Sequence, residues 1–383
     1  MAKPFAAFVV ALALAAALPA QTRPPRARDL GVPFEGTPGP NNAITDVHGV
    51  EVGYSTLIEG GDVRTGVTAI LPRGKTFKDT VMAGFFSQNG NGEMTGIHWL
   101  VESGFLEGPV MITNTHSVGT VRDSVIAWEM KHGATQYPWS LPVVAETYDG
   151  YLNDINGFHV KPEHAVAAIE SAAGGRVAEG NVGGGTGMVC MGFKGGSGTA
   201  SRVLTAAQGG YTVGVFVQCN TGSAHELRLA GVPVGQIMNR TGPYAQLYGR
   251  DREDMGSIII VVATDAPLTS TQLNRLCKRA TLGLARIGGT SGDGSGDIFV
   301  SFSTANPGAA PPPRSPLTTH VEMMANWAMG PLFDATIRAT EEAIANAMVG
   351  AQTMTGYQGH TIVALDHDRL ASMMKATYAP TPW

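Results

Sequence analysis

The chain has 383 residues, 43% of them hydrophobic, which is enough for one large or two ordinary domains. Its formal net charge is -5 and it has no basic block, so nucleic acid is not an expected partner. The 50 glycines cluster in loops without a fixed period, which excludes a collagen-like protein.

The N-terminus is typical of an export signal. Lys3 gives a short positive region, and residues 5–18 form an unbroken apolar run that is too short to span a bilayer comfortably. Residues 1–20 are therefore predicted to be a signal peptide, with the cut after Ala20 or Ala17, and residues 21–34 an extended tail. We expect the mature protein to be periplasmic or secreted, without membrane contact once the signal is removed.

Short apolar runs and amphipathic stretches predict strands and helices that are mixed along the chain. In chain order, these are strands at 67–71, 110–113 and 143–147, a helix at 162–173, strands at 212–218 and 258–264, a helix at 269–287, a strand at 297–303, helices at 320–329 and 334–348, and a strand at 361–365. Several strands are apolar at nearly every position, so both of their faces should be covered. Strands mixed with covering helices indicate a layered α/β or α+β sandwich.

The three cysteines, Cys190, Cys219 and Cys277, form an odd set without metal-ligand spacing. Because they lie in apolar segments, buried free thiols are the expectation. A disulfide between Cys190 and Cys219 is the alternative.

Common catalytic signatures are missing from the sequence. No serine lies in a G-x-S-x-G elbow, which disfavours an α/β-hydrolase. His225–Glu226 could begin an H-E-x-x-H zinc motif, but Leu229 occupies the position of the second histidine. The other histidines show no ligand spacing, so we expect neither a metal site nor a cofactor.

The dipeptide Gly256–Ser257 places a serine at the start of an apolar run, residues 258–263, that predicts a buried strand. Taken alone, it is a turn glycine before a strand. Other polar clusters adjoin apolar segments in the same way, and together they indicate a site assembled on a rigid scaffold. These clusters are SQNGNGEMTG, ITNTHSVG, VVAETYDGYLND, EGNVGGGTGM, FVQCNTG, GSIIIVVATDAP and SGDGSGDIFVSFSTAN.

These motifs, in this order, resemble the DmpA/BapA family of serine peptidases, which includes L-aminopeptidase/D-esterases and β-peptidyl aminopeptidases. The resemblance extends from about Arg28 to Asn306, and more loosely to the C-terminus. It implies an α+β fold, a four-layer αββα sandwich similar to N-terminal nucleophile hydrolases. It also implies a precursor that cuts itself before a serine, here between Gly256 and Ser257. Residues 35–383 would then be one catalytic domain made of two chains.

The resemblance also implies roles for particular residues. Ser257 is the nucleophile, and its freed α-amino group, with a reference pKa of about 7.7–8.0, serves as its general base. Tyr148 and Asn220 match the family's oxyanion donors, whereas Ser295 and Asp297 match the serine and acid that neighbour the nucleophile. Other members have Glu in place of Asp297, whose side chain is one methylene shorter and reaches less far toward Ser257.

An aminopeptidase must hold the ammonium group of its substrate, and a carboxylate is the natural partner. Glu146 lies two residues before Tyr148 and would share its sheet face if the strand continued that far. Glu93 competes for this role, and Asn114 is a further candidate for the substrate pocket. Asn89 and Asn91 either line that pocket or tie loops together.

The sequence thus predicts an exported, self-processing aminopeptidase or amidase that releases N-terminal residues from a small peptide, amide or ester through an acyl-enzyme. It leaves open whether β-amino or D-configured residues are accepted. A related self-processing acyltransferase and a non-enzymatic periplasmic binding module are the alternatives. The family resemblance also implies a homo-oligomer of αβ units, in which the apolar helix at 320–329 could take part or belong to the core.

Overall fold

The computed structural model describes residues 24–75, 79–135, 137–239, 256–312 and 316–378. The signal peptide predicted at residues 1–20 lies outside this part of the chain. The strands are β1 Glu51–Glu59, β2 Val63–Lys75, β3 Val81–Gly90, β4 Phe105–Leu106, β5 Val110–Asn114, β6 Val143–Thr147, β7 Val189–Cys190, β8 Phe193–Lys194, β9 Gly196–Val203, β10 Thr212–Asn220, β11 Ser257–Thr264, β12 Gly296–Ser303, β13 Met354–Thr355 and β14 Thr361–Ile362. The helices are α1 Ile97–Ser103, α2 Val118–His132, α3 Pro162–Glu170, α4 Val234–Asn239, α5 Ser270–Ile287, α6 Gly330–Val349 and α7 His367–Tyr378.

Two sheets face one another. One has four strands in the order β1-β2-β5-β6, and the other has six in the order β4-β3-β12-β11-β10-β9. Helices α2 and α3 pack on the first sheet, and α5 and α6 pack on the second. The predicted four-layer αββα sandwich is confirmed by this arrangement.

The apolar residues of β11 explain why its sequence is an almost continuous hydrophobic run. Ile259, Val261 and Ala263 pack between the two sheets, in a cluster shared with β2, β5 and β6. Ile258, Ile260 and Val262 pack on the opposite face, against α5 and α6. Because side chains alternate along a strand, only a strand covered on both sides requires this pattern.

The central strands position the site. β11 runs antiparallel to β10 and parallel to β12, with Ser257 opposite both Asn220 and Gly296. β12 continues antiparallel to β3, with a register irregularity between Asp297 and Ile298. Residues from four distant parts of the sequence therefore meet at one end of the sheet.

Several sequence predictions need correction at the level of elements. The predicted helix at 320–329 is absent, since this segment has only a single turn, Asn326–Ala328, and Trp327 is 90% exposed. The strand predicted at 361–365 is reduced to Thr361–Ile362. Apolar composition alone misled both predictions, because it does not show whether a segment forms regular backbone hydrogen bonds.

The tail is not simply extended. Ala27–Leu30 forms a 3-10 turn, and the nearby Val32 and Phe34 join the core beneath α6. Arg26 donates to the carbonyl oxygen of Thr199 at 2.6 Å and pairs with Glu179 at 2.7 Å. Polar contacts to the body of the protein thus hold a segment whose Pro/Arg-rich composition indicated an extended tail.

Within the described residues, no helix is long and apolar enough to cross a membrane.

Candidate active site

Ser257 is the first residue of the central strand β11 and is buried, with 6% of its surface exposed. Its position in the strand alternation matches that of Ile259 and Val261, whose side chains pack between the two sheets. Ser257 therefore points toward the open end of the space between the sheets. The backbone N–H of Gly296 donates to its Oγ at 3.0 Å.

Gly256 lies against the backbone of the neighbouring strand. A Cβ atom at this position would collide with the carbonyl oxygen of Asn220 and the Cα of Thr221. Close approach of backbone to backbone, rather than turn chemistry alone, therefore requires glycine immediately before Ser257.

Ser295 and Asp297 are completely buried on either side of Gly296, and the Ser295 hydroxyl donates to Asp297 Oδ2 at 3.0 Å. The structure brings this pair beside Ser257 through the peptide of Gly296, which bonds the nucleophile's oxygen. Asn89 and Asn91 donate to backbone carbonyls between Gly292 and Ser295. They tie this loop down, as one of their two predicted roles requires.

Asn220 is held at both ends of its amide. Its Oδ1 accepts from the backbone N–H of Val189 at 2.8 Å, and its Nδ2 donates to the carbonyl oxygen of Tyr148 at 2.9 Å. These two bonds fix which atom of the amide is the donor. Asn220 lies directly opposite Ser257, so this donor stands beside the nucleophile.

Tyr148 follows the end of β6, which stops at Thr147, so strand alternation does not relate it to Glu146. Its side chain is 51% exposed, and the phenol lies across Gly150, where a Cβ atom would collide with it. Tyr148 thus contacts Asn220 through its main-chain carbonyl oxygen, which accepts from Asn220 Nδ2. Its half-exposed side chain lies at the rim of the site.

The two candidate carboxylates differ strongly in their surroundings. Glu146 is buried, and its oxygens accept from the Glu93 backbone N–H at 2.8 Å and from the Thr115 hydroxyl. The Glu93 side chain is exposed. Burial raises the pKa of Glu146, while the bonds from Thr115 and Glu93 partly oppose this.

The backbone of Gly92 separates Glu146 from the nucleophile's neighbour. A Cβ atom on Gly92 would lie 3.2 Å from Glu146 Oε1 and 3.3 Å from the Cα of Gly296. Glu146 thus lies about one residue's width from the Gly296 peptide that contacts Ser257.

Asn114 is not at the rim of the pocket. It is 2% exposed, and its Nδ2 donates to Thr65 Oγ1 at 2.8 Å. It belongs to a buried polar group with Asp149, whose pKa burial raises to about 7. The structure therefore assigns Asn114 to the support of the loop that follows β6.

Two cysteines contradict the expectation of free thiols. Cys190 and Cys219 form a disulfide across 29 residues of sequence, whereas Cys277 is a buried free thiol. The bonded pair lies next to Val189 and Asn220, so it joins the two backbones whose hydrogen bond orients the Asn220 amide. Sequence alone could not show that β7 and β10 approach one another.

Sequence reasoning also missed Thr115, the Gly296 N–H and Lys194. Thr115 lies within the ITNTHSVG cluster, so the cluster itself was the available signal. A backbone donor such as Gly296 has no signature in the side-chain sequence. In the described part of the chain, no group of three or more potential metal ligands comes together.

Known proteins match this chain over most of its length. The family model described as Peptidase family S58 matches residues 42–362. Two proteins described as beta-peptidyl aminopeptidase BapA are similar to it over 97% of this chain and 96% of their own length. The one from Sphingosinicella microcystinivorans is 53% identical and the one from Sphingosinicella xenopeptidilytica is 45% identical.

Solved structures are also similar. A Burkholderia sp. beta-aminopeptidase is 46% identical, with a TM-score of 0.85 over 93% of this chain and 100% of its own. The L-aminopeptidase D-Ala-esterase/amidase of Ochrobactrum anthropi is 45% identical, with a TM-score of 0.84 over 93% of this chain and 99% of its own. The latter is described as a prototype of the serine aminopeptidases and a variant of the Ntn hydrolase fold. These findings confirm the family resemblance and the fold class.

Proposed function

Because this chain belongs to peptidase family S58 and is a serine aminopeptidase of the N-terminal nucleophile type, we propose that it matures by cutting itself between Gly256 and Ser257. The mature enzyme then releases N-terminal residues from short peptides, amides or esters. The observation that carries the proposal is the placement of Ser257, which is the buried first residue of a central strand with Gly296 N–H bonded to its Oγ.

In the maturation step, Ser257 Oγ attacks the carbonyl carbon of Gly256. A C–O ester bond forms, the C–N bond between the two residues breaks, and the hydroxyl proton passes to the departing amine of Ser257. Water then hydrolyses the ester, which leaves a carboxylate on Gly256 and a free amine and hydroxyl on Ser257. The close contact of Gly256 with Asn220 and Thr221 supports this step, because it restrains the carbonyl next to the attacking hydroxyl.

In turnover, the α-amino group of Ser257 takes the proton from its own hydroxyl, since an α-amine with a pKa of about 7.7–8.0 is partly neutral near neutral pH. The oxygen attacks the substrate carbonyl, and the leaving amine or alcohol takes the proton. Water then attacks the carbonyl of the acyl-enzyme in the same way, which releases the acid and restores the Ser257 hydroxyl. The Ser295–Asp297 pair flanks Gly296, whose N–H contacts Ser257 Oγ, and in this proposal its carboxylate supports the protonated form of the amine.

Asn220 and Tyr148 supply the oxyanion donors in this proposal. One Nδ2 hydrogen of Asn220 is bonded to the Tyr148 carbonyl, and the other has no acceptor among the residues described here. A preorganised donor of this kind is worth about 3 kcal/mol in the transition state. The exposed Tyr148 hydroxyl reaches the carbonyl by turning away from Gly150.

Glu146 is the proposed partner of the substrate's ammonium group, because it is the buried carboxylate adjacent to the Gly92 and Gly296 backbones.

β-Amino acid residues are the proposed preferred substrates, supported by the 53% identity to a beta-peptidyl aminopeptidase. Export through the N-terminal signal is also part of the proposal. N-terminal sequencing of the protein recovered from the periplasm or medium would check it, and retention of residues 1–17 would contradict it.

The decisive variant is Ser257→Ala, which removes the attacking oxygen. We expect it to remain one uncut chain on a denaturing gel and to have no aminopeptidase activity, whereas the wild-type protein gives two chains. Edman sequencing of the smaller chain should begin at Ser257.

Ser301→Ala is the matched control, because Ser301 is a buried serine in β12 that donates to Leu273 away from the site. It should mature and hydrolyse normally. Two chains from Ser257→Ala would overturn the proposed cut.

A further inference from the structure

Lys194 is a completely buried lysine with an unusual set of partners. Its Nζ donates to two backbone carbonyl oxygens, those of Met188 at 2.8 Å and Gly195 at 2.7 Å. No carboxylate of the described residues forms an ion pair with it, and burial lowers the pKa of Lys194 to about 7. A neutral amine has two hydrogens, which equals the number of these carbonyl acceptors.

One of these carbonyls belongs to the peptide that orients Asn220. The Met188–Val189 peptide accepts from Lys194 Nζ through its oxygen and donates from Val189 N–H to Asn220 Oδ1 at 2.8 Å. A peptide whose oxygen accepts a hydrogen bond becomes a stronger donor at its N–H. Lys194 is therefore one peptide unit away from the side chain beside Ser257.

The direction of the Asn220 amide matters because its two ends are chemically opposite. With Oδ1 bonded to Val189, the Nδ2 hydrogens face the Tyr148 carbonyl and the site. If the Val189 N–H turned away, the bond from Nδ2 to the Tyr148 carbonyl would be left to keep the amide from presenting its oxygen to the developing negative charge. The disulfide of Cys190 and Cys219 keeps the two backbones together but does not bond the Met188 carbonyl.

We propose that Lys194 is a positioning residue for Asn220, acting through the Met188–Val189 peptide. The inference rests on the proposed oxyanion role of Asn220. It assigns to a buried lysine outside the pocket an effect on kcat, with little effect on substrate binding.

The first test is Lys194→Met, which keeps an unbranched apolar side chain and removes both N–H donors. We expect kcat, per mature Ser257 N-terminus, to fall about 10- to 100-fold on β-alanine p-nitroanilide, because complete loss of one oxyanion donor costs about 100- to 1,000-fold. KM should change less than about threefold.

Arg202→Met is the matched control, because Arg202 is also a buried basic residue but pairs with Glu342 at the opposite end of the β9–β10 pair. It should lower stability without lowering kcat. An equal fall of kcat in both variants would show that Lys194 acts only through general stability, and would overturn the proposal.

A double-mutant cycle separates this inference from the proposed function. In an Asn220→Ala background, Lys194→Met should lower kcat no further, since the residue that it positions is gone. Losses that multiply would overturn the positioning role. An unchanged kcat in Lys194→Met, with a reduced kcat in Asn220→Ala, would overturn this inference alone. An unchanged kcat in Asn220→Ala would overturn both this inference and the proposed oxyanion role of Asn220.

Lys194→Gln keeps two N–H donors on a shorter side chain and should give a kcat between those of wild type and Lys194→Met. If Lys194→Met does not accumulate as folded protein, the same cycle is completed with Lys194→Gln, and its criteria are unchanged.

Discussion

At the scale of single residues, Glu146 and Glu93 illustrate how burial separates two chemically identical side chains. Glu146 is buried beside the Gly92 and Gly296 backbones, and the exposed Glu93 contributes its backbone N–H to hold Glu146 in place. A buried, pre-oriented carboxylate binds an ammonium group more strongly than an exposed one, because water competes less.

Glu146→Gln should lower kcat/KM for amine-bearing substrates by about 10- to 100-fold, since hydrogen bonds to charged groups contribute about 1.5–3 kcal/mol. Glu93→Gln is its control and should change kcat/KM less than about threefold. Initial rates at several substrate concentrations measure both. A larger loss in Glu93→Gln would move the ammonium site to Glu93.

The pH profile gives the same carboxylate a second test. Burial raises the pKa of Glu146, so its charged form, which the ammonium needs, is lost on acidification at a higher pH than for an ordinary glutamate. In wild type, kcat/KM should therefore fall as the pH drops through this raised pKa, in addition to the fall that protonation of the Ser257 α-amine causes in both proteins. In Glu146→Gln, kcat/KM should not show the fall that this carboxylate causes. An identical decrease of kcat/KM with pH in both proteins would exclude Glu146 as its source.

At the scale of elements, the short strand β7 is held to β10 by a covalent bond and by the Val189–Asn220 hydrogen bond. Its partner strand β8 carries Lys194, which pairs with Val189 in the strand register. Two-residue strands contribute little stability alone. The placement of β7 beside Asn220 therefore depends on the disulfide and the buried lysine more than on regular pairing.

Replacing both Cys190 and Cys219 with alanine should lower the free energy of unfolding by about 3 kcal/mol, because the bond closes a loop across 29 residues. Denaturant titration with and without dithiothreitol measures the effect. The reductant should shift the wild-type midpoint and leave the double variant unchanged. An unshifted wild-type midpoint would mean that these two cysteines are not bonded in solution.

At the scale of the whole molecule, the two chains of the proposed mature enzyme are interleaved. Strands β11 and β12 follow the cut, yet they lie between β3 and β10, which precede it. Helix α6 contributes Glu342, which is fully buried and pairs with Arg28 at 2.8 Å and Arg202 at 2.7 Å. Separating the chains would open the central sheet and break this charge cluster, so they should co-elute after cleavage under native conditions.

Glu342→Gln should destabilise the protein by about 3–5 kcal/mol, because it leaves the Arg202 guanidinium buried without a counter-charge. Glu35→Gln is the control, since the Glu35–Arg338 pair is largely exposed, and its effect should be below about 1 kcal/mol. Thermal or denaturant unfolding compares the two. Equal effects would show that the buried cluster contributes no more than a surface pair.

The sequence by itself determined the nucleophile candidate, the layered fold class and most long strands. β11 was predictable because a strand buried on both faces needs apolar residues at nearly every position, and this pattern is local. β1, β3 and β9 were missed, since β1 and β3 are partly exposed and β9 is built from small and polar residues that are buried by α6. Their environment is set by distant elements.

Only the tertiary structure decided how the candidate residues meet. Ser257 and Gly296 are brought into bonding distance by the parallel register of β11 and β12, and local sequence carries no information on that register. The same holds for the disulfide, the buried position of Asn114 and the reach of Lys194 toward Asn220. Residue chemistry and periodicity are properties of the chain, whereas distance, burial and the resulting pKa shifts exist only once the layers have packed.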